Sequence, residues 1–120
     1  MNRGVHLAIG LIIFFLYSYF LTTINKSDNL PLIFGFIAIS IGSVIPDILE
    51  PPNSRMHRGI CHSKRALKFT LVSFTITAVI GIYSSILPDY FSQSYIASSF
   101  FLGYSFHLFA DSLTRAGLPN

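Results

Sequence analysis

The chain of 120 residues carries four histidines and five acids, few enough to take one at a time. His107 and Asp111 stand four apart in Gly103-Tyr104-Ser105-Phe106-His107-Leu108-Phe109-Ala110-Asp111. On a helix that spacing puts both side chains on one face. An imidazole nitrogen and a carboxylate oxygen are good zinc ligands. Taken alone, the pair reads equally as a satisfied polar couple inside a bundle, or as an aspartate capping a helix. Asp47 and Glu50 stand three apart, just after Pro46, and alone read as solvated loop acids. His57 and His62 follow in Met56-His57-Arg58-Gly59-Ile60-Cys61-His62-Ser63. Together these four supply carboxylate and imidazole donors in one short stretch. Their spacing is neither that of a zinc finger nor His-Glu-x-x-His. Cys61, the single cysteine, is either a further zinc ligand or an ordinary small apolar residue, and no internal disulfide can form. Arg58 and Lys64 are cations able to neutralise a phosphate. His6, alone at the other end of the sequence, reads first as an interfacial residue.

Convergence of these groups depends on the elements that carry them. Hydrophobic residues make up 52% of the chain and charged residues 11%, against about 25% charged in soluble domains. Four runs lack Asp, Glu, Lys and Arg: Gly4 to Asn25, Asn29 to Pro46, Phe69 to Pro88, and Tyr90 to Ala110. Each is close to the roughly 20 residues that a helix needs to cross the hydrocarbon of a bilayer. The expectation is one all-α, membrane-embedded domain over 1–120, with spans at about 5–24, 30–46, 67–87 and 93–112. Arg3 before the first run raises a signal peptide as a rival, but no small-x-small cleavage site follows. Short connections make consecutive spans antiparallel, giving an up-down four-helix transmembrane bundle. Pro31 suits a first helical turn, and Pro46 and Pro88 suit helix stops. Lys64, Arg65 and Lys68 are read with Arg55 and Arg58 as one basic loop between spans two and three.

With four spans, both termini and the middle loop share one side of the membrane. His6 opens span one, Asp47 ends span two, His57 and His62 precede span three, and His107 and Asp111 end span four. All four histidines then arrive at one membrane face. Seven of the eight basic residues, all but Lys26, lie there too, which makes that face cytoplasmic. The expectation is a polar metal site at that face. Basic residues in the middle loop can also contact phosphate or anionic lipid. No helix-turn-helix or basic-helix pattern accompanies them, so nucleic acid is not expected as a partner.

Several of these residues also carry a resemblance. His6, Ile45-Pro46-Asp47, His57-Arg58-Gly59 with His62-Ser63, Gly103-Tyr104 with His107-Leu108 and Asp111, then Thr114 and Gly117-Leu118-Pro119, resemble the YdjM family. Its members are described as LexA-binding, inner-membrane-associated, predicted metal-dependent hydrolases. Many carry a second Asp two residues after the first; here that place is Leu49, and Glu50 follows. The usual Thr before the second histidine is Cys61 here. The order His, Asp, His, then His-x-x-x-Asp is more weakly similar to the front half of zinc-dependent phospholipase C. That similarity implies a main metal site of Asp47, His57 or His62, His107 and Asp111. His6, sharing Asp111, would help hold a second ion.

The combined expectation is a metal-dependent hydrolase in the inner membrane, holding one or two divalent ions, most simply zinc. Its substrate would be a phosphoester or a lipid headgroup. Asp47 or Glu50 would accept the proton of the attacking water, and Arg58 or Lys64 would offset phosphoryl charge. The alternative is a non-catalytic membrane protein with a structural metal site or a partner-binding basic loop. A small transporter is a further rival; it predicts polar residues along the spans, whereas the ionisable groups here gather at one end.

Overall fold

The structure is a computed structural model that describes residues 3–25, 31–51, 59–83, 88–114 and 118–119. Four helices follow one another: α1 (Arg3–Asn25), α2 (Leu32–Leu49), α3 (Lys64–Tyr83) and α4 (Pro88–Ser112). A short 3-10 turn, Ile60–His62, precedes α3. There is no strand among the described residues. The architecture is an all-α, four-helix transmembrane bundle, 47 Å long and 24 by 20 Å across.

The charge-free runs explain most of this. α1, α2 and α3 are each long and apolar enough to cross a membrane. Their outer faces expose large apolar side chains, among them Phe15 and Tyr19 on α1, Ile33 and Phe34 on α2, and Phe69 and Val72 on α3. Such a surface suits lipid, where a helix satisfies its own backbone hydrogen bonds. α4 has 25 residues and is more polar, because it carries Ser98, Ser99, Ser105 and His107. Those side chains are all buried within the bundle, so their polarity does not meet lipid. α4 is the central helix. It packs most closely on α2 and α3 and also on α1, whereas α1 and α3 scarcely touch. Buried hydroxyls pair across the core: Tyr17 with Ser98 at 2.6 Å and Ser18 with Tyr95 at 2.8 Å. Pairing of this kind is how polar groups are accommodated in a dry interior.

Four details differ from the expectation. Pro46 lies inside α2, which runs on to Leu49. It has no N–H to give the carbonyl one turn back and its ring crowds that turn, which loosens a helix without ending it here. Pro88 opens α4 instead of closing α3, the first-turn position where a missing N–H costs nothing. Pro31 is the cap residue before α2, one position outside the helix. Lys64, Arg65 and Lys68 belong to the first turns of α3 and not to a loop. Ser63 makes that early start favourable. Its Oγ accepts the Ala66 N–H at 3.1 Å, a side-chain N-cap.

Candidate metal centre

Backbone approach comes first. α2 and α4 cross at Gly42 and Gly103. A Cβ on Gly42 would collide with the Phe100 carbonyl, and one on Gly103 with the Ile39 carbonyl. Only glycine permits this approach. The crossing sets Ser43 and Asp47 of α2 beside His107 and Asp111 of α4. α1 comes in at Gly10, against the Ser43 side chain, one turn above His6. The 3-10 turn then delivers His62. Tyr104 of α4 ties that turn down by donating its hydroxyl proton to the Cys61 carbonyl at 3.2 Å.

The result is a buried cluster. His6, His62 and His107 are each 2% exposed, Asp47 4% and Glu50 9%. His107 Nδ1 lies 2.8 Å from the Ser43 carbonyl oxygen, which can only accept. His62 Nδ1 lies 3.0 Å from Glu50 Oε2, a carboxylate oxygen. Each Nδ1 is therefore an N–H donor, which leaves Nε2 as the inward atom and the one able to offer a lone pair to a ligand.

The inward atoms sit at different distances from the outward ones. His62 Nε2 is 3.5 Å from Asp47 Oδ1 and 3.7 Å from Asp111 Oδ2. His107 Nε2 is 3.7 Å from Asp47 Oδ1 and 3.4 Å from Asp111 Oδ2. The two Nε2 atoms are 3.3 Å apart. These separations are longer than good hydrogen bonds, which fall at about 2.7–3.2 Å. They are close to the spacing of about 3.3–3.6 Å between neighbouring donors that stand about 2.0–2.2 Å from one zinc ion. Two imidazole nitrogens and two carboxylates facing one point are held together by a cation between them or by a proton on a ring, such as the one the His62–His107 contact would share. The residues present thus fit a divalent metal ion, and two overlapping triads have donors close enough to share one: Asp47, His62, His107 and His6, His107, Asp111.

His6 stacks on His107 with ring centroids 3.9 Å apart. Its Nε2 is 3.3 Å from Asp111 Oδ1, yet neither ring nitrogen has a partner in hydrogen-bond geometry. A fully buried imidazole with no hydrogen bond is costly, so His6 also calls for a ligand. Asp111 has one oxygen toward His6 and the other toward His62 and His107.

This geometry, on an apolar four-helix bundle, agrees with what comparison with known families finds. A family model described as YdjM inner membrane protein matches residues 1–120. The chain belongs to that family. No curated protein and no solved structure matches it. In this YdjM chain the structure brings together His6, Asp47, Glu50, His62, His107 and Asp111. His57 and Arg58 lie outside the described residues. Lys64 is exposed at the first residue of α3, where its backbone N–H bonds the Pro119 carbonyl at 2.9 Å. It is not part of the buried cluster. Cys61 is half-buried and is not among the converging donors. Sequence reasoning missed the Ser43 carbonyl, the Ser63 cap and the Tyr104 tie. The Ser63 cap had a legible signal, a serine directly before a run of helix formers.

Glu50 sits just beyond α2. Burial pushes its carboxyl up, but the Cys61 N–H, the His62 ring and the His62 N–H outweigh that and hold it below the usual range. A lowered carboxylate contributes stability above its unfolded value, about 4.3, and loses it as pH falls through the folded value. Metal binding needs unprotonated imidazoles and so weakens earlier on acidification. Acid titration is expected to release metal before the Cys61 and His62 amides lose protection, followed by a chromogenic chelator and by hydrogen exchange.

Proposed function

We propose that this protein is a membrane-embedded, metal-dependent hydrolase whose site lies at the cytoplasmic interface of the inner membrane. The observation that carries the reading is the approach of His62 Nε2 and His107 Nε2 to each other and to the Asp47 and Asp111 carboxylates, at 3.3–3.7 Å. The donors are imidazoles and carboxylates without a thiolate, whereas the common structural zinc sites are built on cysteine. Burying such groups near hydrocarbon costs several kcal/mol, so they are functional candidates by default. When bound, a divalent ion lowers the pKa of a water to about 7 and polarises a phosphoryl or acyl oxygen. Zinc is the simplest choice for this donor set and these spacings.

The chain's own residues then have distinct parts. His62 and His107 present their Nε2 atoms, each ring held by the hydrogen bond behind it. Asp47 and Asp111 supply the negative charge. Asp47 is also the carboxylate placed to take a proton from the nucleophile. Lys64, exposed at the start of α3, with Arg58 six residues before it in the sequence, would draw in and offset an anionic headgroup. A phospholipid or other lipid-linked phosphoester is the substrate class this location favours. The cytoplasmic placement rests on the basic residues gathering at the same end.

One or two ions fit. His107 Nε2 faces two carboxylates and His62, whereas His6 faces Asp111. His107→Ala is therefore expected to reduce metal uptake far more than His6→Ala, measured by competition against a chelator of known affinity. Equal losses would mean that the two histidines serve one ion alike.

The second reading is a non-catalytic protein with a structural metal. A fourth protein donor, Asp111 added to Asp47, His62 and His107, would favour it, since catalytic zinc sites keep a position open. Incubating detergent-purified protein with phosphoester and ester headgroup substrates, with and without chelator, decides between them. Chelator-sensitive turnover supports the hydrolase; stoichiometric metal with no turnover of any substrate supports the structural site.

A further inference from the structure

Glu50 is, with Asp47, one of two acids that the sequence offers as proton acceptor, and its surroundings suit another part. Asp47 and Glu50 are three residues apart, so both reach the same side at the end of α2. Leu49, between them, is 59% exposed and turned away. Glu50 Oε1 accepts the Cys61 N–H at 2.9 Å. Oε2 accepts the His62 N–H at 3.2 Å and the His62 Nδ1–H at 3.0 Å. Three donors from one turn thus converge on a single carboxylate that is 9% exposed.

We infer that Glu50 is a positioning residue: it clamps the 3-10 turn Ile60–His62 and fixes the His62 tautomer, so that Nε2 is the atom offered to the metal. The assignment rests on the metal-site reading above and adds a part for a residue outside the ligand set. A carboxylate behind a ligating histidine holds the ring in place and raises its basicity. Here the same carboxylate also holds the backbone that carries the ring, so ring and turn cannot move independently. The contact joins Glu50 to a turn eleven residues further along the sequence.

Glutamine is the informative replacement, because it keeps size and reach. It has one acceptor oxygen in place of two, and its amide would turn N–H groups toward an N–H donor. The experiment uses full-length protein in detergent, loaded with cobalt(II), whose visible bands report ligand geometry. Glu50→Gln is expected to lower cobalt affinity by about 10–100-fold and to shift the visible spectrum. Glu50→Asp, which keeps the charge but is one methylene shorter, is expected to recover part of both. A clamp with no bearing on the tautomer would lower thermal stability of the metal-free protein yet leave affinity and spectrum unchanged, and that result overturns the assignment. Failure of the unmodified protein to bind cobalt overturns the metal reading itself, and this inference with it.

Discussion

Replacing His107 and Asp111 together by alanine is expected to abolish metal binding while the four helices remain inserted. The two residues sit one turn apart on α4 and face the same point as Asp47 and His62. Asp111 also faces His6, so its loss touches every histidine in the cluster. Loss of a ligand should exceed the about 100-fold effect of losing a residue behind a ligand. Removing one partner of a buried charged pair costs about 3–5 kcal/mol, because the other is stranded. The double replacement limits this to His6, since one carboxylate and one imidazole leave together and Asp47 and His62 keep each other. The apolar faces of α1, α2 and α3 are untouched, and they drive insertion. The expected outcome is a helical, detergent-soluble protein with no bound metal, read by circular dichroism and elemental analysis. Full metal content in this variant would remove α4 from the ligand set.

The second large effect is expected far from any ligand atom. Gly103→Val forces a branched side chain onto the Ile39 carbonyl and within 3.1 Å of the Ser43 backbone nitrogen. Backbone cannot swing aside as a side chain does, so α2 and α4 must separate. Overpacking a core costs about 1–3 kcal/mol, and a backbone clash stands at the upper end or beyond. The separation also moves the Ser43 carbonyl away from His107 Nδ1, now 2.8 Å distant. The prediction is a coupled loss of thermal stability and metal affinity. Gly81→Ala serves as the control, since its Cβ would meet Ser94 Cβ at an ordinary 3.5 Å. A Gly103→Val protein with normal stability and metal content would show that the close crossing does not hold the site.

Much of this was legible in the residues. Charge-free runs of about twenty residues mean long apolar helices, three of which can cross a membrane, and their antiparallel packing with α4 brings His6, Asp47, His62, His107 and Asp111 together. The four-residue spacing of His107 and Asp111 needed only helical periodicity. The hidden features depend on backbone. A main-chain carbonyl that orients a histidine has no side-chain signature, so Ser43 gave none. Gly42 and Gly103 are unremarkable in a chain with eight glycines, until the two helices are seen to touch there. Pro46 looked like a stop because proline blocks a helix in water; within the bundle, packing carried α2 one turn past it. Glu50 looked like a free acid because its partners lie eleven and twelve residues ahead in the chain.

The central claim is that four membrane crossings assemble one metal-binding centre. Elemental analysis of the detergent-purified protein, before and after dialysis against zinc, tests it most directly. At least one tightly held divalent ion per chain, lost in the His107→Ala/Asp111→Ala variant, is the predicted result. A chain that neither carries nor takes up a divalent ion would contradict it.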